Sequence, residues 1–419
     1  MKVFFLKYII VPIIQIIDYF VVKDKNYWGF AVHHIKSDQF IENARAVFEE
    51  VKKDSTIHKI LFTRDNTQDF NIEGAVNLTI VNIKTLKGVL YILKCKVLFV
   101  THSVSMDYAF RFEKSKFCVL KLNFNKRVIV NLWHGIPIKK LYALWNPDVK
   151  KRLDRVKYRH YERKKYAGLI TSSTIDSYAM STMFHPIKYE NIWTTGLPRN
   201  DFLLLDSNSL PSYLKNQLNL VDEIKSGKKL ILYAPTYRQT VAVKDAFYYK
   251  FSDTEIASLK ELLIKHNAIF GFRMHYFRND ANLFNVEDYV DNKLIFNLGH
   301  DLIPEISSVL RASDYIISDY SSVFIEALYL NKPVFSFAYD KKHYSENQDG
   351  LLYDDDIIFP GVVTETFNEL MKTLEDELTS AKQIHTEKYK ISQKFFFNNI
   401  DTNNSARVVE KVKNKLYKK

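Results

Sequence analysis

Short apolar runs recur along the chain and alternate with longer helical patterns. The runs have the length and the β-branched and aromatic content of buried strands. Seven of them lie in the first half, at 28–34, 59–63, 76–81, 96–101, 127–133, 168–173 and 191–195. Five more lie in the second half, at 229–235, 268–274, 293–298, 314–318 and 333–339. Continuous apolar runs are typical of parallel strands that helices cover on both faces.

The helical patterns fall between these runs. They include 38–52, 148–166, 254–266, 302–312, 322–331 and 364–378. Strands that alternate with helices predict an α/β fold, here two Rossmann-like domains in series. Ligands of open α/β sheets bind beyond the carboxyl ends of the strands. We therefore expect the chemistry in the loops that follow the strands, at a cleft between the two domains.

A polar, turn-rich segment separates the two groups of strands. It reads DSNSLPSYLKNQLNLVDEIKSGKK and begins at Asp206. We predict four regions along the chain: an apolar N-terminal helix (1–24), a first domain (25–205), a second domain (206–378), and terminal helices that cross back to the first domain (379–419).

The N-terminal segment FFLKYIIVPIIQIIDYFVV is apolar but interrupted. Lys7, Pro12, Gln15 and Asp18 break it, whereas a membrane-spanning helix needs about 20 predominantly apolar residues. The segment also lacks the small-residue cleavage site of a signal peptide. We expect a helix that lies in the membrane interface or packs on a partner; an ordinary core helix and a single membrane span are the alternatives.

Composition narrows the possible partners and chemistry. The net charge of +12 indicates an anionic partner. A membrane surface or a phosphorylated substrate fits better than nucleic acid, because no zinc-finger spacing or aromatic RNA-binding signature is present. The 2 cysteines fit a reducing cytoplasm. The chain has no Walker loop, no GxGxxG or GxSxG motif and no metal-ligand spacing, so neither a cofactor nor a metal is expected.

The strongest candidate for catalysis is the sequence NLWHGIPIKKL at 131–141. A predicted strand ends at Trp133, and His134 and Gly135 form the turn that follows. Glycine lets a backbone approach a ligand closely, and histidine can act as a general base toward a hydroxyl near neutral pH. The alternative is a buried histidine that hydrogen-bonds a neighbouring loop.

A second histidine follows a strand of the second half, in Arg273-Met274-His275. Residues two apart on a strand share a face, so the Arg273 guanidinium and the His275 imidazole could converge on one phosphate. The alternative for Arg273 is an ion pair with an acidic neighbour.

A third motif, ISDYSSVFIEAL at 317–328, runs from a strand into a helix. Ser321 and Ser322 lie at the predicted start of the helix that contains Glu326. Free N–H groups and the helix dipole favour an anion there, although N-capping by serine explains the pair equally well.

Two weaker motifs also follow strands. YAPTYR (233–238) places Thr236 and Arg238 after one strand, and GLPRND (196–201) places Pro198 and Arg199 after another. Ordinary turn chemistry explains each of them at least as well as ligand binding does.

In their order along the chain, and with LNKPV and GLLYDDDIIFPG further on, these motifs resemble the CDP-glycerol glycerophosphotransferase family of teichoic-acid primases and polymerases. The likeness covers about 125–365. It implies a GT-B fold and peripheral membrane association. It also implies that His134 and His275 are the two essential histidines.

The resemblance implies donor-phosphate contacts at Arg238, Asp319, Ser321 and Ser322. With Arg273 and Glu326 these residues make up the predicted donor site, and Gly135, Pro198, Arg199 and Thr236 are predicted to support the cleft. The sequence departs from the family pattern at Tyr276, where proline is usual after the second histidine. It departs again at Ile136, where threonine is common.

The implied reaction moves a phosphoalcohol, with glycerol phosphate from CDP-glycerol as the first choice, to a hydroxyl of a lipid-linked cell-envelope polymer. CMP is released, and the product is a teichoic-acid or capsule-type polymer made at the cytoplasmic face of the bacterial membrane. One alternative is a GT-B glycosyltransferase that uses a nucleotide sugar for capsule or glycolipid synthesis. Another is a catalytically silent membrane-bound module that binds an anionic polymer.

Overall fold

The computed structural model describes residues 2–33, 39–64, 69–110, 118–145, 156–236, 248–274, 284–347 and 350–417. The chain forms two compact units. The first unit comprises Met1–Gly135, Pro147–Phe202 and Asp401–Lys419, and the second comprises Ile136–Asn146 and Leu203–Ile400. The N-terminal segment thus belongs to the first unit, and the chain returns to that unit at Asp401.

The described part of the first unit contains a sheet of seven parallel strands in the order β3-β2-β1-β4-β5-β6-β7. The strands are β1 Asp24–Ala31, β2 His58–Thr63, β3 Leu78–Asn82, β4 Cys95–Val100, β5 Val128–Asn131, β6 Gly168–Thr171 and β7 Ile192–Thr194. The helices of this unit include Lys2–Phe5, Val11–Phe20, Glu42–Val51, Leu86–Lys94, Val104–Asp107, Val156–Lys164, Thr174–Met183 and Asn404–Tyr417.

The terminal helix Asn404–Tyr417 is part of the first core. Val408, Val412 and Leu416 recur every four residues, so they share one helix face. That face packs with Trp28 and Phe48 in one buried apolar cluster. Burial of this stripe explains why the last stretch of the chain folds with the first unit.

The described part of the second unit contains a six-stranded parallel sheet in the order β10-β9-β8-β11-β12-β13. The strands are β8 Lys229–Tyr233, β9 Ala268–Phe272, β10 Ile295–Asn297, β11 Tyr315–Ser318, β12 Val334–Phe337 and β13 Val363–Thr364. The helices include Ser212–Lys225, Asp253–Lys265, Ile306–Ala312, Val323–Tyr329, Lys341–Asn347, Asp355–Ile358, Phe367–Ser380 and Glu387–Phe396, and the short helix Asp201–Leu204 lies at the division between the units.

The twelve strands predicted from the sequence are confirmed, with shifted ends. The structure adds β13, whose two residues are too few to give a recognisable pattern. The helix predicted at 302–312 begins only at Ile306, because the residue before Pro304 is disfavoured in a helical conformation. The helix predicted at 148–166 is seen as Val156–Lys164; residues 146–155 lie outside the described part.

A buried ion pair fixes the N-terminal helix to the first unit. The Asp18 carboxylate accepts hydrogen bonds from both terminal nitrogens of Arg127 at 2.7 and 2.8 Å, and from Lys23 Nζ at 2.7 Å. Burial opposes ionisation of Asp18, but Arg127 and the other donors lower its pKa. A charge buried in this way needs such partners, so this helix is docked through its polar residue.

The helix Val11–Phe20 has two different faces. Val11 and Ile14 are buried with Asp18, whereas Ile13, Ile16, Ile17, Tyr19 and Phe20 are exposed. An exposed apolar face of this kind is typical of an interaction surface. Within the described residues, every helix is too short or too polar to cross a lipid bilayer.

Candidate active site

A turn with unusual backbone geometry follows β5 and carries His134. Trp133 has a φ of +48°, in the left-handed region that residues other than glycine rarely adopt. Its backbone N–H donates to the Asn131 side-chain oxygen at 2.8 Å. The strand predicted to reach Trp133 therefore ends at Asn131, and His134 and Gly135 form the bend that follows.

The buried side chain of Asn43 holds this turn. Its Nδ2 donates to the carbonyl oxygens of Leu132 at 2.9 Å and Trp133 at 3.0 Å. Its Oδ1 accepts a hydrogen bond from the Arg199 backbone N–H at 3.0 Å. One carboxamide thus connects the turn after β5 to the GLPRND motif. Strained backbone persists where surrounding contacts fix it, and Asn43 supplies such contacts.

The hydrogen bond of His134 fixes its tautomer. Nδ1 lies 3.4 Å from the Thr101 carbonyl oxygen, and a carbonyl can only accept, so Nδ1 carries the proton. Among the described residues no group hydrogen-bonds Nε2. Burial lowers the pKa of His134 to about 4, while the Glu42 carboxylate opposes this. The ring is therefore neutral at neutral pH, and Nε2 is able to accept a proton.

His134 is the last of three histidines that follow adjacent strands. His33 follows β1, His102 follows β4 and His134 follows β5, and these strands are neighbours in the sheet. The His102 and His134 rings stack at 4.4 Å between centroids, with planes 15° apart. The His33 ring meets His102 edge-on at 5.9 Å. His102 was not predicted from the sequence, although its place two residues beyond a buried strand is the same signal that indicated His134.

Two buried carboxyl groups lie behind His102. Asp107 accepts hydrogen bonds from the backbone N–H groups of Thr101 at 2.7 Å and His102 at 3.0 Å. Glu162 accepts one from the Ser105 backbone N–H at 2.9 Å. Burial raises the pKa of Asp107 to about 6 and that of Glu162 to about 7, against these hydrogen bonds. Together they fix the loop after β4.

The GLPRND motif anchors the terminal helix. Gly196 has a φ of +81°, and a Cβ there would lie 1.7 Å from Asn404 Oδ1, so only glycine fits. The Asp201 carboxylate accepts from the backbone N–H groups of Asn404 and Ser405, each at 2.8 Å. Pro198 and Arg199 are buried in the turn between them, and Arg199 Nη1 lies 3.8 Å from Glu42 Oε2.

At the carboxyl edge of the second sheet, two motifs meet. The Thr236 backbone N–H donates to Asp319 Oδ1 at 2.7 Å. The Ser318 hydroxyl donates to the Ala234 carbonyl at 2.9 Å. The loops after β8 and β11 are thus joined, and this uses at least one oxygen of Asp319 within the protein.

The guanidinium of Arg273 hydrogen-bonds a neighbouring loop. Its Nη1 donates to the carbonyl oxygens of Leu298 at 2.9 Å and Ile303 at 2.8 Å, and its Nη2 donates to that of Pro304 at 3.3 Å. Burial lowers its pKa to about 10, with Glu305 opposing, so it stays cationic at neutral pH. These contacts favour a structural role, and phosphate binding by Arg273 stays a prediction. His275 and Arg238 lie outside the described residues.

The serine pair lies where the third motif predicts, before the helix Val323–Tyr329. Ser322 is the N-cap residue, yet its side chain makes no capping hydrogen bond. The Ser321 hydroxyl accepts from the Val323 N–H at 3.5 Å. Glu326 is buried within the helix. Simple capping therefore does not explain Ser322.

The segment after Gly135 connects two of the family-like motifs within the second unit. The Lys140 N–H donates to the Gly350 carbonyl at 3.1 Å, and the Leu352 N–H donates to the Ile138 carbonyl at 2.8 Å. The IPIKK and GLLYDDD sequences therefore pair, through an antiparallel bridge.

Among the described residues, one acidic group brings three carboxylates within 4.8 Å of one another, Asp354-Asp355-Asp356. Its carboxylates already have partners: Asp354 caps the helix that follows it, and Lys341 pairs with Asp355 and Asp356 at 3.2 and 3.1 Å. Such a cluster gives no reason to assign a metal.

Comparison with curated proteins finds relatives of teichoic-acid synthesis. The teichoic acid poly(glycerol phosphate) polymerase of Bacillus subtilis is 26% identical over 396 residues, which cover 91% of this chain and 47% of the relative. The poly(ribitol-phosphate) polymerase of Bacillus spizizenii is 28% identical, over 74% of this chain and 48% of the relative. This chain thus spans about half the length of these two. The glycerol-phosphate primase of Bacillus subtilis is 25% identical over 77% of both chains.

Among solved structures, the wall teichoic acid polymerase TagF superposes with a TM-score of 0.72 at 20% identity, over 97% of this chain and 93% of the other. A UDP-N-acetylglucosamine 2-epimerase gives 0.56 at 13% identity, over 95% and 98%. These matches confirm a GT-B-like α/β fold with parallel sheets. They do not decide the chemistry, because one fold hosts several.

The sequence itself decides the family. The model of the CDP-Glycerol:Poly(glycerophosphate) glycerophosphotransferase family matches residues 15–414, which is nearly the whole chain. It extends the resemblance seen in the motifs to both units. This protein therefore belongs to the CDP-glycerol:poly(glycerophosphate) glycerophosphotransferase family.

Proposed function

We propose that this protein transfers glycerol phosphate from CDP-glycerol to a hydroxyl group of a lipid-linked cell-envelope polymer. The family and the names of the relatives, which include teichoic-acid polymerases and a primase, support transfer of this kind. The observation that carries the proposal is the neutral His134, whose protonated Nδ1 leaves Nε2 as the proton acceptor. One relative is named for ribitol phosphate, which is the alternative alcohol.

In this reaction the acceptor hydroxyl oxygen attacks the β-phosphorus of CDP-glycerol. A new phosphorus–oxygen bond forms, the bond from that phosphorus to the bridging oxygen breaks, and CMP leaves with the bond electrons. The hydroxyl proton passes to Nε2 of His134. Phosphoryl transfer of this kind depends mainly on positioning and on charge stabilisation.

Bound CDP-glycerol would raise the pKa of His134. A negative diphosphate near His134 favours the protonated ring and raises its pKa from the low value that burial imposes. We assign the donor phosphates to Ser321 and Ser322, with Arg238 and His275 as further predicted contacts. The Asp319 carboxylate, which can only accept hydrogen bonds, instead holds the Thr236 N–H. The reaction needs neither a cofactor nor a metal in this proposal.

The test offers the purified protein a panel of CDP-glycerol, CDP-ribitol and nucleotide sugars with a lipid-linked acceptor. Mass spectrometry identifies both products. CMP together with an acceptor that has gained glycerol phosphate supports the proposal. UDP or GDP, or an acceptor that has gained a sugar, overturns it in favour of a glycosyltransferase.

The role of His134 is tested with His134→Ala. We expect a loss of about 10²–10⁴-fold in kcat, the usual contribution of a general base, with little change in CDP-glycerol binding. His58→Ala is the matched control, because His58 lies at the amino end of β2 and packs on Tyr27 and Tyr91. Near-full activity of His134→Ala would overturn the assigned role.

We further propose that the protein binds peripherally at the cytoplasmic face of the cell membrane through the helix Val11–Phe20. Its exposed face carries isoleucines and aromatic residues, while the Asp18–Arg127 ion pair holds the opposite face on the first unit. The net charge of +12 supports attraction to anionic lipid.

Vesicle flotation tests this surface. The double variant Ile16→Ser with Phe20→Ser removes two exposed apolar side chains, each worth about 1.5–3 kcal/mol when buried. We expect binding to anionic vesicles to fall at least tenfold. The control is Ile391→Ser, since Ile391 is equally exposed on a helix of the second unit. Equal binding by both variants would place the membrane contact elsewhere.

A further inference from the structure

The imidazole ring of His102 lies against His134 in a defined stack. The ring centroids are 4.4 Å apart and the planes differ by 15°. The Trp133 ring also contacts His134, at 4.0 Å and a tilt of 36°. The hydrogen bond of His134 to the Thr101 carbonyl is weak, because its length of 3.4 Å exceeds the usual length of an N–H···O hydrogen bond. Ring packing must therefore contribute to the orientation of His134.

His102 is itself firmly held. Its backbone N–H donates to Asp107 Oδ2 at 3.0 Å, and its carbonyl accepts from Asn131 Nδ2 at 3.3 Å. Its Nδ1 lies 3.1 Å from Thr101 Oγ1 and 3.8 Å from Asp107 Oδ1. The His33 ring packs edge-on against it. A ring fixed from several directions is a suitable wall for a second ring.

The loop after β4 thus serves His134 twice. Thr101 provides the carbonyl that accepts the hydrogen bond of the Nδ1–H group, and the next residue, His102, provides the stacked ring. Asp107 binds the backbone N–H groups of both residues. The same carboxylate therefore fixes the position of the hydrogen-bond acceptor and of the wall.

We propose that His102 is a positioning residue for His134. Its ring fixes the plane of the His134 ring, so that Nδ1 stays on the Thr101 carbonyl and Nε2 stays available for the acceptor hydroxyl. The assignment rests on the proposed function insofar as His134 is the base. A displacement of about 1 Å in a catalytic group can cost 10²-fold in rate, so a loss of ring contact has a measurable effect.

Two substitutions distinguish the packing of the His102 ring against His134 from any role of its nitrogen atoms. His102→Ala removes the ring, whereas His102→Phe keeps a flat ring of similar size and removes both nitrogens. We expect His102→Ala to lower kcat about tenfold with KM for CDP-glycerol near the wild-type value. His102→Phe should restore kcat to within about threefold of wild type, because packing is what the ring supplies.

His58→Ala provides the control for simple loss of a packed histidine, and thermal unfolding of every variant corrects the rates for folded protein. His58 belongs to the same unit and also packs on aromatic rings. A kcat loss in His58→Ala equal to that of His102→Ala would overturn the proposal. Equal losses of kcat in His102→Phe and His102→Ala would overturn it too.

A readout without substrate completes the test. Nitrogen-15 NMR of the histidine rings reports which nitrogen of His134 carries the proton. We expect the Nδ1–H form in the wild type and in His102→Phe, and a mixture of the two tautomers in His102→Ala. An unchanged tautomer in His102→Ala would overturn the positioning role. Absence of wild-type turnover with CDP-glycerol would instead overturn the proposed function, and the NMR result would still decide the positioning.

Discussion

At the carboxyl edge of the first sheet, His134 makes one long hydrogen bond through Nδ1, and no described residue hydrogen-bonds Nε2. At the carboxyl edge of the second sheet, Arg273 donates three hydrogen bonds to the carbonyls of residues 298, 303 and 304. Both side chains follow buried parallel strands, and both suit phosphate chemistry. They differ in how far the fold itself already uses their polar atoms.

This difference has a physical origin. A guanidinium that is buried must have its donors satisfied, because an unpaired buried charge is costly. The carbonyls of a nearby loop satisfy Arg273, which makes it part of the fold. A neutral imidazole has a much smaller desolvation penalty, so His134 can remain half-buried with one nitrogen unused. Of these two side chains, His134 is therefore the one that keeps a nitrogen atom available for chemistry.

The largest expected effect tests the second edge. Arg273→Ala leaves three loop carbonyls without their donor, and we expect the second unit to lose about 3–5 kcal/mol of stability. Urea unfolding measures this, with the exposed Lys265→Ala as control. Unchanged stability together with lost CDP-glycerol binding would show that Arg273 is the donor contact that the sequence predicts.

The next effect tests the first edge. Asn43→Ala removes two donors and one acceptor that hold the Trp133 turn and the Arg199 backbone. We expect a loss of about 2–4 kcal/mol in the free energy of unfolding, together with a fall in kcat. His134→Ala is the comparison, since it should reduce kcat with little change in stability. A stable Asn43→Ala protein with normal kcat would contradict the role of Asn43 in holding the Trp133 turn.

A smaller effect concerns pH. The raised pKa of Glu162, about 7 against 4.5, means that the unfolded carboxyl ionises while the buried one is still protonated. The wild type therefore loses stability as pH rises from about 4.5 to 7 through this group. Glu162→Gln removes this dependence of stability on pH. The measured quantity is the free energy of unfolding of Glu162→Gln minus that of the wild type. We expect this difference to be about 2–3 kcal/mol larger at pH 8 than at pH 4.5.

Thermal unfolding at the two pH values measures the effect of Glu162→Gln. Glu190→Gln, at an exposed glutamate, is the control. A gain that is the same at both pH values would mean that the buried carboxyl ionises normally in the folded protein.

The smallest effect distinguishes two serines of the second unit. Ser322 makes no capping hydrogen bond, whereas Ser252 forms a full capping box with Glu255. Ser322→Ala should weaken CDP-glycerol binding by about 0.5–1.5 kcal/mol and leave stability unchanged. Ser252→Ala should cost about 1 kcal/mol of stability and leave donor binding unchanged. Calorimetric titration and urea unfolding separate these outcomes; unchanged affinity in Ser322→Ala would argue against a donor contact there.

The candidate site was only partly predictable. His134 was found because a strand, a glycine turn and a titratable residue are adjacent in sequence. Asn43 was missed because it lies about 90 positions before the turn that it holds. Asp107 was missed although its contacts are local, 5 and 6 positions away along the chain. The structural use of Gly196 and Asp201 was likewise hidden, since their partners lie some 200 positions further along the chain.

By itself, the sequence determined the two parallel sheets, the order of their strands along the chain, the family and the loop that carries His134. These features follow from local periodicity and from short motifs, in which the interacting residues are near one another. Only the tertiary structure decided that β1, β4 and β5 are adjacent, and that His33, His102 and His134 therefore form one row. It also decided that loop carbonyls bind Arg273. Strand order in a sheet and burial of a charge depend on contacts between distant segments, which no local pattern records.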